Sequence, residues 1–226
     1  MKCKRQYIIC GHYGSGKSNI AVNMAFDLKE KSIKENAAVK VGVLDIDIVN
    51  PYFRSVDSRE ELEAAGIEVI CSEFANTNLD APALPQEMYR IIDDTELVSV
   101  IDVGGDDRGA YALGRLRPGI LKENNYEMIM VINKYRPLTR DVESTMEVLK
   151  EIEAACGIGF TGIINNSNLG ADTTPETVID SMAYANEMAK ASGLKLIATT
   201  VDENIFNQLD GKIENLIPMK LQKRPV

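Results

Sequence analysis

The chain has 226 residues, 45% of them hydrophobic, which is the length of one α/β domain and enough apolar side chain for a substantial core. Its 34 acidic residues outnumber 25 basic ones for a net charge of −9. That balance gives no electrostatic basis for wrapping a nucleic acid or lying on an anionic membrane, and neither is expected as a partner. Four cysteines, Cys3, Cys10, Cys71 and Cys156, are scattered with no CxxC pair, which argues for reduced thiols rather than a disulfide framework or a metal clip. The basic N-terminus reaches a glycine loop by Gly11, too soon for a signal-peptide apolar region or a membrane span, so the expected location is the cytoplasm.

In chain order, the apolar run from Tyr7 to Cys10 reads as a strand, and Ser18 to Lys31 has helical spacing. Between them Gly11-His12-Tyr13-Gly14-Ser15-Gly16-Lys17-Ser18 matches G-x-x-x-x-G-K-[ST] in full. Glycines at 11, 14 and 16 let successive N–H groups turn into one concavity at a helix N-terminus, where they hold phosphate oxygens. Lys17 adds a point charge for the β- and γ-phosphates, the Ser18 hydroxyl is a Mg²⁺ ligand, and Asn19 follows on the helix. The expected ligand is a nucleotide, ATP with Mg²⁺.

Val39 to Leu44 is the next strand and ends in Asp45-Ile46-Asp47, two carboxylates that strand geometry puts on one side. Asn50, Pro51, Tyr52 and Arg54 follow, then a helix from Arg59 to Ala65, a strand from Ile67 to Cys71, a polar proline-bearing loop from Phe74 to Pro85 and a helix from Leu84 to Asp93. The strand from Val98 to Val103 ends in Asp102-Val103-Gly104-Gly105, a D-x-x-G pattern whose aspartate serves a Mg²⁺-bound water and whose glycine N–H reaches a γ-phosphate. Asp106, Asp107 and Arg108 are either a switch loop or a solvated charge cluster. Strands from Met128 to Ile132, Thr161 to Ile164 and Leu194 to Thr199 alternate with helices from Thr139 to Ala155 and Pro175 to Ser192. Thr139 and Thr174 are the expected N-caps, with Gly157 and Gly193 just past the helix ends. The tail from Gly211 to Val226 has no firm reading. This alternation predicts one domain over 1–226, a three-layer α/β/α fold of the P-loop NTPase type with a mostly parallel central sheet and its ligand at the carboxyl ends of the strands.

The order of phosphate loop, D-x-D strand end, D-x-x-G strand end and a later strand closing in Ile163-Ile164-Asn165-Asn166-Ser167 resembles the MinD/ParA-like branch of P-loop ATPases. That branch also contains the nitrogenase iron protein. The resemblance runs from Tyr7 to about Val201. It implies that Asp47 orients the attacking water, that Asp102 sits near Mg²⁺ with Ser18 and Asp47, and that Asn166, with Asn165 beside it, contacts adenine. It also implies an ATP-driven face-to-face homodimer that serves a protein partner. Three features depart from the family. His12 stands where many members carry a signature lysine, the paired cysteines of the iron–sulfur members are missing, and Pro218 and Pro225 interrupt any C-terminal amphipathic helix. Neither an iron–sulfur carrier nor MinD-type membrane cycling is therefore expected.

Guanine-specific P-loop proteins usually carry N-K-x-D after a strand, whereas Asn133-Lys134-Tyr135-Arg136 ends in arginine, so adenine is favoured. Two function classes remain open. One is a slow ATPase used as a conformational switch, with Lys17 and Asp47 as the catalytic pair. The other is a ligase or transferase resembling the dethiobiotin and cobyrinic acid amide synthetases, in which Asn50, Pro51, Tyr52, Arg54 and the 74–85 loop line a pocket for a small carboxylate.

Overall fold

The computed structural model describes residues 4–35, 39–46, 55–71 and 86–221. Cys3, Asp47, Asn50, Pro51, Tyr52, Arg54, the loop from Phe74 to Pro85 and the tail beyond 221 lie outside the described residues. Eight strands form one sheet: β1 (Gln6–Cys10), β2 (Lys40–Ile46), β3 (Glu68–Cys71), β4 (Leu97–Val103), β5 (Tyr126–Ile132), β6 (Gly162–Asn165), β7 (Lys195–Asp202) and β8 (Leu216–Met219). Their order is β3-β2-β4-β1-β5-β6-β7-β8 and every pairing is parallel. The helices are α1 (Lys17–Lys34), α2 (Arg59–Ala64), α3 (Arg90–Asp93), α4 (Asp107–Glu123), α5 (Val142–Cys156), α6 (Pro175–Ser192) and α7 (Glu203–Leu209).

Parallel strands need helical crossovers, and the crossovers cover both faces of the sheet, so the strands read as unbroken apolar runs. Alternate residues then sort into two layers. Ile9, Val41, Val43, Val100, Ile129, Val131 and Ile164 pack against Ile20, Ala21 and Ala25 of α1 and Leu62 of α2. On the other face Ile8, Cys10, Leu44, Ile101, Met128, Met130 and Ile163 meet Leu113 and Leu116 of α4, Val148 and Leu149 of α5 and Ala185 and Met188 of α6. Each fully buried Ile or Leu stabilises the fold by about 1.5–3 kcal/mol. β1 lies between β4 and β5, and the order of the chain reverses there, which opens a crevice at the carboxyl ends of these three strands.

All seven expected strands are present. Three elements were not expected. α4 was hidden by Gly109, Gly114, Pro118 and Gly119, residues that argue against a helix. α7 has only seven residues, and β8 contains Pro218, which is tolerated because β8 is an edge strand. The helix expected from Leu84 begins among the described residues as a 3₁₀ turn, Gln86–Tyr89, before α3. Asp141, not Thr139, caps α5: it accepts from the Ser144 N–H at 2.9 Å, while the Thr139 hydroxyl donates to the Asn133 carbonyl at 2.7 Å. Thr174 caps α6 as expected, and Gly157 and Gly193 end α5 and α6 in left-handed conformations.

Cys10, Cys71 and Cys156 are free thiols, and burial, with Cys156 nearby, pushes the Cys10 thiol well above its usual pKa. No described helix is long and apolar enough to cross a membrane.

Candidate functional site

The loop between β1 and α1 is held by hydrogen bonds to its carbonyls. The His12 carbonyl accepts from the Ser15 N–H at 3.1 Å and from Lys17 Nζ at 3.4 Å. The Gly14 carbonyl accepts from Arg136 Nε at 2.9 Å, and the Ser15 carbonyl accepts from Asn166 Nδ2 at 2.7 Å. These bonds engage three of the loop's carbonyls, and glycines at 11, 14 and 16 take the positive-φ conformations in which successive N–H groups can line one concavity. Gly16 ends the loop at φ 93°, a left-handed conformation suited to glycine, and offers no side-chain cap to α1. α1 carries no acid in its first turn either, so the N–H groups and the positive end of an 18-residue helix remain available to an anion. Lys17 and Ser18 begin that helix and are both buried, at 5% and 8% exposure. The buried Ser15 hydroxyl has no hydrogen-bond partner among the described residues.

Arg136 and Asn166 come from two loops that are sewn together. Asn133, fully buried after β5, donates through Nδ2 to the Asn168 carbonyl, and its Oδ1 accepts from the N–H groups of Tyr135 and Asn168. The Lys134 N–H donates to Ser167 Oγ, and Asn168 Nδ2 donates to the Asn166 carbonyl. Asn165 donates through Nδ2 to Ser181 Oγ at 2.9 Å, and its Oδ1 accepts from the Ser167 N–H and hydroxyl. Asn166 Oδ1 accepts from Thr200 Oγ1 at 2.8 Å. The amides that the sequence offers to a base edge are thus engaged within the protein, and Asn166 braces the phosphate loop. Satisfied buried amides of this kind rigidify what they join.

On the opposite side of β1 the site is acidic. Asp45 of β2 and Asp102 of β4 are direct register partners. Both follow the parity of Val41, Val43 and Val100 in the layer under α1, so both carboxylates face α1. Each is almost fully buried, at 1% and 0% exposure. A hydroxyl on the first turn of α1 and a buried carboxylate on the face beneath it are hard oxygen donors of the type Mg²⁺ takes while keeping several waters. Asp47, two residues beyond Asp45, lies outside the described residues. Gly105 closes this side. A Cβ there would lie 2.7 Å from the Tyr13 nitrogen and 2.9 Å from Lys17 Nζ, so only glycine lets the strand end come this near the loop. Asp106 caps α4 by accepting from the Gly109 N–H at 3.1 Å.

Around the rim, His12 Nδ1 lies 3.2 Å from the Tyr13 carbonyl, and Tyr13 is 50% exposed. Asn19 lies in the first turn of α1, where its carbonyl accepts from Asn23 Nδ2. The Arg136 bridge to Gly14 was not legible beforehand, because it joins residues far apart in sequence. The missing carboxylate of N-K-x-D marked the position without its role.

No family model matches the chain, and no curated protein matches it. Solved structures do. FtsY of Thermotoga maritima is similar at 18% identity and a TM-score of 0.56, over 88% of this chain and 62% of that one. Chloroplast FtsY of Physcomitrella patens is similar at 18% identity and a TM-score of 0.55, over 91% and 61%. The 54 kDa signal recognition particle protein of Aeropyrum pernix, solved in complex with GDP, is similar at 17% identity and a TM-score of 0.54, over 86% and 40%. The chain therefore spans about 60% or less of the length of these proteins. They are signal-recognition proteins and their receptors rather than members of the MinD/ParA branch, and at such identities the likeness speaks for fold alone, so what is established is that this chain has the α/β fold of the P-loop NTPases.

Proposed function

We propose that the chain binds a nucleoside triphosphate with Mg²⁺ on the loop from Gly11 to Ser18, hydrolyses it slowly, and serves as a nucleotide switch for a protein partner. The observation that carries this reading is the phosphate loop itself, with its Gly14 and Ser15 carbonyls held by Arg136 and Asn166, Lys17 at its end, an uncapped α1 behind it and Asp102 on the face below. Lys17 and the loop N–H groups stabilise charge on the transferring phosphoryl group. Ser18, Asp47 and Asp102 would hold Mg²⁺, which when bound would neutralise phosphate charge. Asp47 positions the attacking water, and the Gly105 N–H donates to the γ-phosphate. In the same reading two copies close face to face on the triphosphate and part after hydrolysis, with His12 and Tyr13 at the meeting surface.

Adenine is the base assigned here, because Arg136 replaces a base-reading carboxylate and ties down the loop instead. The similar structures solved with GDP favour guanine as the competing choice. Displacement of a fluorescent ADP by ATP and by GTP decides between them, with ATP expected to displace more tightly. The switch is tested on Asp47→Asn, which is expected to retain nucleotide binding, lose turnover and become dimeric only with ATP and Mg²⁺ in light scattering. Normal turnover in that variant removes Asp47 from the mechanism. A small carboxylic acid that raises ATP consumption would favour the ligase class instead.

A further inference from the structure

Helix α4 presents a surface at odds with the charge of the whole chain. From Arg108 to Lys122 it carries four cations, Arg108, Arg115, Arg117 and Lys122, and no carboxylate, in a chain of net charge −9. Positions 108, 111, 115, 118 and 122 recur at helical spacing and so share one stripe, and all five are exposed. Ala110, Leu113, Leu116 and Ile120 are buried in the core and fix that stripe to the outside. Tyr111, 63% exposed, lies between Arg108 and Arg115. Among the described residues Arg108, Arg115 and Lys122 form no ion pair, and neither do Lys150, Lys190 and Lys195, so what sets the α4 stripe apart is the clustering of its cations. An ordinary solvated helix face mixes the two signs. This one does not.

We infer that the outer face of α4 docks an acidic segment of a partner protein. The charge is complementary, and Arg and Tyr are residue types that carry binding energy at interfaces. At 1.5 Å per residue the stripe is about 20 Å long, the scale of one short helix or strand. A nucleic acid would instead extend a long polyanion across a chain that is acidic elsewhere. The stripe is also joined to the phosphate loop. A Cβ on Gly109 would lie 2.6 Å from the Gly104 Cα, and one on Gly105 would lie 2.7 Å from the Tyr13 nitrogen. The start of α4, the strand end and the loop are therefore in direct contact, and docking rests on the nucleotide reading only for its dependence on nucleotide.

The test is fluorescence anisotropy of the full chain, without nucleotide, with labelled poly-L-glutamate of about twenty residues, long enough to cover the stripe. An oligodeoxynucleotide of the same length serves as competitor. The peptide is expected to bind, to weaken at least about tenfold in Arg108→Glu/Arg115→Glu/Lys122→Glu, and to change little in the control Lys150→Glu/Lys190→Glu/Lys195→Glu, which alters net charge equally. No binding, equal loss in the control, or tighter binding of the oligonucleotide overturns the proposal. Repeating the measurement with Lys17→Ala separates the two claims, since that variant is expected to lose nucleotide and keep the peptide.

Discussion

The two flanks of the phosphate loop are built on different principles. On the β5–β6 flank the side chains of Asn133, Asn165, Asn166 and Asn168 each both donate and accept hydrogen bonds within the protein, and Arg136 and Asn166 carry that rigidity into the carbonyls of Gly14 and Ser15. On the β2–β4 flank Asp45 and Asp102 lie buried side by side, and Gly105 touches Tyr13 and Lys17 by close approach. The first flank shapes the site before any ligand arrives, which is the condition for electrostatic preorganisation. The second holds the groups that a triphosphate and its metal would engage, and it leads straight into α4. Damage to the first should therefore show in folding, and damage to the second in turnover.

The largest loss of stability is expected from Asn166→Ala, which takes the Asn166 donor from the buried Ser15 carbonyl and leaves the Thr200 hydroxyl only its longer bond to the Asn165 carbonyl at 3.4 Å. The cost is about 1–3 kcal/mol for a buried group left unsatisfied, read as a lower urea midpoint together with weaker nucleotide binding. A midpoint like that of the wild type would show that Asn166 does not brace the loop. Gly105→Ala is expected to act on turnover as well as on stability. The added methyl meets the Tyr13 backbone and Lys17 Nζ, so unfolding should become easier by about 1–3 kcal/mol, and turnover of the folded protein should fall at least about tenfold. Normal turnover in this variant would remove Gly105 from the responding flank.

The smallest effect belongs to the layer beneath the rigid flank. Burial pushes the Tyr184 phenol up to about 12 from 10.0, against the lowering effect of its hydrogen bond with Thr145. Between those two values the native state keeps a proton that the unfolded chain has released, so this contribution is complete below pH 10 and lost as pH rises through 12. Tyr184→Phe should cost about 1 kcal/mol at neutral pH and flatten the alkaline fall in stability. An alkaline limb as steep as that of the wild type would place the titrating group elsewhere.

The same contrast explains what the sequence disclosed. The phosphate loop, Asp45 and Asp102 were legible because their chemistry is local: a glycine pattern beside a strand, and carboxylates at the ends of apolar runs. Period-two alternation put Asp45 and Asp47 on one side of the strand; of the two, Asp45 lies among the described residues, buried and in register with Asp102. Arg136 and the asparagine lattice were opaque because their meaning lies in contacts across more than thirty positions of sequence, such as Asn133 with Asn168. α4 was missed for a packing reason. Gly109 and Gly119 leave no room for a Cβ against Gly104 and Ile92, so tight docking outweighs helix propensity there. Thr139 and Asp141 both suit a cap, and only the position of the Ser144 N–H separates them.

The central claim is that the loop from Gly11 to Ser18 binds nucleotide phosphates through Lys17. Isothermal titration of ATP and of GTP, each with Mg²⁺, into the wild-type chain and into Lys17→Ala tests it most directly. The account predicts saturable binding of at least one nucleotide to the wild type and a loss of at least about thirtyfold in the variant, in line with removing one buried charged partner. Equal affinity in the two proteins, or no binding to the wild type, would contradict it.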